Sequence, residues 1–221
     1  MKWPVRKTPK QTILEEILNS ISHGIMVPIS IGLYFLLREA NNYTFNCSIF
    51  CFILTMCMLY LMSCLYHSLS FTRAKGQFKR FDHICIYLLI WGSFIPFLLF
   101  KPKDNINIIF FIFQTILILF GVLFKIFWLY KGEVLHLILF LLLGWSGILV
   151  VIFSWNIFIQ EHKILLFLIL GGLCYSFGVI FYKNVYKKYY HFIWHLCVVL
   201  GNLFHVFSIY YFIGIQAQTL I

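Results

Sequence analysis

The sequence predicts an all-α fold, a polytopic bundle of seven transmembrane helices. Three observations predict it. Across 221 residues, 62% are hydrophobic and only 11% are charged, against about 45–50% apolar and about 25% charged in a soluble domain. Several apolar runs reach the roughly 18 residues that mark a spanning helix. These runs are continuous, without the period-two alternation of a transmembrane β-barrel.

Residues 11–22 come first. Ile13, Leu14, Ile17, Leu18 and Ile21 share one helical face, while Glu15, Glu16 and Asn19 occupy much of the remainder. That pattern predicts an amphipathic helix lying in the membrane interface. The spans follow at 21–38, 44–66, 82–100, 106–124, 134–153, 163–182 and 192–213, none with Asp, Glu, Lys or Arg in its interior. No small-residue cleavage site follows the first apolar run, so the first span is expected to act as an uncleaved targeting signal. Residues 1–221 thus read as a single membrane domain with no internal repeat.

The charges assign sides. Lys2, Arg6, Lys7 and Lys10 precede span one, and Arg73, Lys75, Lys79 and Arg80 lie between spans two and three. Lys125 and Lys131 follow span four, and Lys183, Lys187 and Lys188 precede span seven. These thirteen face one side; Arg38, Lys101, Lys103 and Lys163 face the other. The positive-inside rule therefore places the N-terminus in the cytosol and the C-terminus outside. The sequons starting at Asn42 and Asn46 fall on the outer side, close to the membrane. The net charge of +10 comes from short clusters between apolar runs, which points to orientation and anionic membrane lipids rather than nucleic acid. The seven cysteines form no CxxC pair and read as buried free thiols.

With this topology His67 ends span two, Asp82 opens span three, and His191 and His195 open span seven, all at the cytosolic face. Ser63 and His67, like His191 and His195, are four residues apart and share a helical face. Three imidazoles at one depth suit zinc and leave a fourth position for water. Zinc can lower the pKa of that water to about 7. Asp82 is then expected to accept a hydrogen bond from the water as general base, and Ser63 to orient a ligand or donate to a developing oxyanion. The alternative is that these polar groups are structural hydrogen-bond partners within the bundle.

Three segments carry a resemblance. The opening Glu15-Glu16-Ile-Leu-Asn19-Ser20-Ile-Ser22-His23-Gly24, then Ser63-Cys-Leu-Tyr66-His67 with Phe81-Asp82-His83 through Pro96-Phe97, and His191-Phe-Ile-Trp194-His195 through Gly201 to His205 resemble the haemolysin III family. That family belongs with the progestin and adipoQ receptors, whose matching positions form an intramembrane zinc site. The resemblance implies zinc ligands at His67, His191 and His195, and supporting or water-binding roles for Asp82 and Ser63. Ser22 stands where the family commonly has Thr. His23 is expected to brace the site from span one. His83 points about 100° away from Asp82 around the helix, and His205 lies about 15 Å deeper than His195, as a packed polar partner. His136 and His162 carry no readable signal.

Three functions follow. A zinc with an open position at the depth of acyl linkages suits hydrolysis of a lipid amide or ester drawn from the cytosolic leaflet, a ceramidase-like reaction. The family name implies a cytolysin, and a pore would require a homo-oligomer because a single bundle has too few polar residues to line a wide aqueous path. A receptor or signalling role follows from the wider group, against short outer loops and no ectodomain.

Overall fold

The computed structural model describes residues 11–38, 43–98, 105–128 and 132–218. Lys2, Arg6, Lys7, Lys10, Asn42, Lys101, Lys103 and Lys131 lie outside the described residues, as does the end of the run expected to close at residue 100. All regular structure among the described residues is helical: α1 (Ile13–Gly24), α2 (Met26–Leu37), α3 (Tyr43–Ser68), α4 (Lys75–Leu98), α5 (Asn105–Phe127), α6 (Glu133–Trp145), α7 (Gly147–Phe153), α8 (Trp155–Phe158), α9 (His162–Lys183) and α10 (Tyr190–Gln218). Seven runs among them are long and apolar enough to cross a membrane. The chain is a multi-pass integral membrane protein.

α1 starts at a capping box. Thr12 accepts from the Glu15 amide, and the Glu15 carboxylate returns to the Thr12 backbone, satisfying donors that an opening helix leaves unpaired. Ile25 stays in the right-handed helical region, so α1 runs on into α2. The amphipathic face is real, and its polar side turns inward. Glu15, Glu16, Asn19 and His23 are buried, whereas Ile13, Leu14, Ile17 and Ile21 are exposed. The apolar face is left for lipid and the polar face for the bundle.

α4 begins at Lys75 rather than at 82, which places Asp82 about 10 Å inside the helix. Lys75, Lys79 and Arg80 therefore belong to a helix and not to a loop. Lys125, expected beyond span four, sits buried in the last turn of α5. The expected run 134–153 is interrupted at Ser146, between α6 and α7. There the Ser146 hydroxyl donates to the Leu143 carbonyl and accepts from Gln114.

The packing sets the site. α3 lies against α4, α9 against α10, and α1 is wedged between α3 and α10. α3 and α4 approach closely at Gly92, where a Cβ would strike the Thr55 side chain. The core joins Phe45, Phe52, Met56 and Tyr60 of α3 to Leu89 and Leu98 of α4 and to Val198, Ile209 and Phe212 of α10. All seven cysteines are free, but only Cys85 and Cys197 are buried; Cys47 is exposed. The reading of every thiol as buried is corrected: residues on the outward face of a span still point into the helix surround, where a small soft side chain costs nothing.

Candidate metal centre

α3 delivers His67 in its last turn, and α10 delivers His191 and His195 from its first two turns. The turn into α10 is held by Tyr189, a non-glycine residue in the left-handed region at φ 63°. That conformation costs about 1–2 kcal/mol in an L-residue. The Tyr189 amide donates to Glu15 Oε1 at 2.8 Å, so α1 supports the backbone that launches the two histidines.

One nitrogen from each of His67, His191 and His195 falls within 4.8 Å of the others. His67 Nε2 and His191 Nε2 are 3.2 Å apart, close to the edge of about 3.3 Å expected around a tetrahedral zinc with bonds of about 2.0–2.1 Å. Two of the far nitrogens are held, while His191 Nδ1 is buried without a hydrogen-bond partner. His67 Nδ1 lies 2.7 Å from Glu16 Oε2, and the other oxygen of Glu16 takes the Lys75 ammonium at 2.5 Å. His195 Nδ1 is 3.2 Å from the Asn19 carbonyl and 3.2 Å from Ser22 Oγ. A carbonyl only accepts, so His195 Nδ1 carries the proton; the ionised Glu16 carboxylate assigns the same tautomer to His67. Both rings thereby keep the Nε2 lone pair for the cluster. A carboxylate or carbonyl behind the imidazole is the usual way a ligating histidine is oriented and made more basic. Three neutral imidazoles so arranged fit a zinc ion, and His67 and His195 are almost wholly shielded from solvent.

Ser63 and Asp82 are both buried. They line the same cavity as His191 and His195, a space of about 530 Å³. Ser63 lies beside the Asp82 carboxyl, and its buried hydroxyl closes no hydrogen bond of ordinary length. His23 braces the cluster: its ring stacks on His195 with centroids 3.9 Å apart, and neither of its nitrogens has a partner. His83, expected to turn away from Asp82, is buried and also lines the cavity. A wide cavity takes in neighbouring positions of α4 that a strict helical wheel separates. His136 carried no signal and proves to be buried, with Nδ1 2.6 Å from the Tyr87 hydroxyl.

Sequence reasoning missed the roles of Glu15, Glu16, Asn19 and Ser22 in positioning the histidines. A signal existed: Glu16, Asn19 and His23 follow an i, i+3, i+7 spacing on one face of a helix bordering an apolar span. Acids there need a buried partner more than they need water.

Fold and site together define a class: an all-helical, multi-pass membrane protein with a buried three-histidine cluster where its spans converge. The family described as Haemolysin-III related matches residues 11–206, and the chain belongs to it. It is 37% identical over 207 residues to the hemolysin-3 homolog of Bacillus subtilis (strain 168), covering 91% of this chain and 95% of that protein. Hemolysin-3 of Bacillus cereus is 31% identical, with 92% and 94% covered. The human monocyte to macrophage differentiation factor is 26% identical, with 94% and 88% covered. No solved structure matches the chain significantly.

Proposed function

We propose that this protein is a zinc-dependent hydrolase of a lipid amide or ester, working near the cytosolic face of its membrane. The observation that carries the reading is the meeting of three imidazoles, two of them of assigned tautomer, with Ser63, Asp82 and a largely apolar cavity. His67, His191 and His195 would hold the zinc, which when bound polarises a carbonyl and acidifies water.

The chain's own groups account for the rest. Glu16 and the Asn19 carbonyl keep both Nε2 lone pairs aimed at the cluster. Asp82, in the same cavity, accepts a proton from the attacking water at its carboxylate and returns it to the departing amine nitrogen or alkoxide oxygen. The unpartnered Ser63 hydroxyl donates to the oxygen on which charge develops. Walls built from Ile86, Ile90, Phe94 and Leu168 hold an acyl chain and exclude bulk water. The bias of thirteen basic residues to four supports assigning this machinery to the cytosolic leaflet.

The test is metal content and turnover together. Purified wild type should carry one zinc and hydrolyse ceramides or phospholipids in a chelator-sensitive way, and His191→Ala should lose both metal and turnover. A zinc-loaded protein inert toward every lipid amide and ester would sink the hydrolase and leave a structural metal.

The relatives' printed name, hemolysin-3, supports a second reading, permeabilisation by an oligomer. Dye release from liposomes separates the two. Leakage that persists when His67, His191 and His195 are all alanine belongs to a pore, and leakage that vanishes belongs to metal chemistry.

A further inference from the structure

From the histidine cluster the cavity runs toward the opposite end of the bundle as one continuous slot. Asp82, Ile86, Leu89, Ser93 and Phe97 of α4 line it at steps of three or four residues, and so do Leu165, Leu168, Gly172, Ser176, Val179 and Tyr182 of α9. Steps of that size keep one face of each helix on the slot without a break. The two helices give its length independently: Asp82 to Phe97 is a rise of about 22 Å, and Leu165 to Tyr182 a rise of about 25 Å. The hydroxyl protons along the walls are committed. Ser93 donates to the Ile90 carbonyl at 2.8 Å, Ser176 to the Gly172 carbonyl at 2.8 Å and Tyr175 to Asn202 Oδ1 at 2.7 Å. Between its two ends the slot therefore presents mostly apolar wall, which suits plain methylenes.

Aromatic rings close the far end. Phe97 of α4 and Phe158 of α8 line it, with ring centroids 6.3 Å apart, and Phe97 packs on Phe212 of α10 at 5.2 Å. Phe158 and Phe212 are each 2% exposed, so the rings are backed by protein. On α10 the lining stops at His205; Ile209 and Phe212, the next residues on that face, are buried in the core beneath. A slot with a fixed floor and a fixed reacting level measures what lies between them. Each methylene of an extended chain advances about 1.25 Å, given a C–C bond near 1.5 Å. A rise of about 22 Å then takes roughly 18 carbons, and the thickness of the rings brings the fit to about 16–18.

We propose that Phe97 and Phe158 set the acyl length, and that the ligand is a lipid with an unbranched chain of about 16–18 carbons. Its amide or ester carbonyl lies at the histidine cluster and its terminal methyl against the two rings. This rests on the reading of the cavity as a lipid site but not on the zinc. A shorter chain leaves a void above the floor, and a longer one must fold back or displace the rings; both are unfavourable against close-packed walls.

Equilibrium binding to the full-length protein in lipid nanodiscs tests this, with saturated acyl amides of one amine whose chains run from decanoyl to tetracosanoyl. In a bilayer every chain is already out of water, so an optimum reports fit rather than hydrophobicity. Wild type should bind the best length, about 16–18 carbons, about tenfold more tightly than chains about four carbons shorter or longer. Phe158→Ala should move the optimum about two to four carbons longer. Phe97→Leu, a gentler truncation of the same floor, should move it in the same direction and stands in if the alanine variant does not fold. Ser93→Phe, which puts a ring one helical turn above Phe97, should move it about four carbons shorter. No length optimum in wild type, or an optimum that stays put in these variants, overturns the proposal. Failure of every amide to bind overturns it together with the lipid-site reading. The optimum and its shifts in a protein that contains no zinc support the aromatic floor and overturn only the hydrolase.

Discussion

At the residue scale the centre depends on who holds the far side of each imidazole. Glu16 accepts from two donors at once, the N–H of the neutral His67 ring and the Lys75 ammonium, and is the only carboxylate among the described residues bonded to a cluster histidine. Replacing Glu16 with Gln keeps the shape and removes the charge that fixes the His67 tautomer. Loss of such an outer partner typically costs 10–100-fold in metal affinity, so zinc competition against a chelator should show Glu16→Gln binding about tenfold or more weakly. An unchanged affinity would mean that the ring is held by packing alone. The spacing of Glu16, Asn19 and His23 marks an inward polar face, but not which histidine each residue holds. His67 and His195 were found from their depth, but Glu16 is 51 positions from His67 and Asn19 is 176 from His195. No periodicity connects residues that distant.

At the scale of elements, hydropathy read the helices well and their ends poorly. Long apolar runs have one solution in a membrane, because every backbone group must be paired within the segment. Ends are different: α4 keeps Lys75 and Lys79 inside its helix, and α5 keeps Lys125, since long basic side chains reach back to a polar layer from within a span. Register between helices rests on small residues, with Gly92 packed directly against Thr55 where α3 meets α4. The methyl of Gly92→Ala would meet a side chain whose hydroxyl is bonded to the Phe52 carbonyl at 2.8 Å. We expect a loss of about 1–3 kcal/mol from overpacking, seen as a lower unfolding temperature in detergent and partly restored by adding Thr55→Ala. A stability equal to wild type would show that the helices can separate at no cost.

For the whole molecule, charge asymmetry carries a prediction about sidedness. In a cysteine-free background of the intact-cell protein, an impermeant thiol reagent should label Lys163→Cys and spare Lys187→Cys, both exposed positions on opposite predicted sides. The reverse labelling would turn the histidine cluster toward the outside and overturn the proposed cytosolic-leaflet chemistry. The seven spans, the meeting of the three histidines and the amphipathic opening were all determined by the sequence itself, because hydropathy and helical spacing are local properties. Only the tertiary structure decided that the polar face of α1 turns inward to hold His67 and His195, that Ser63, Asp82 and His83 line one cavity, and that the His205 ring packs between Gly171 and Tyr175. Those facts depend on which helix packs against which, and van der Waals fit between segments distant in the chain leaves no trace in any single segment.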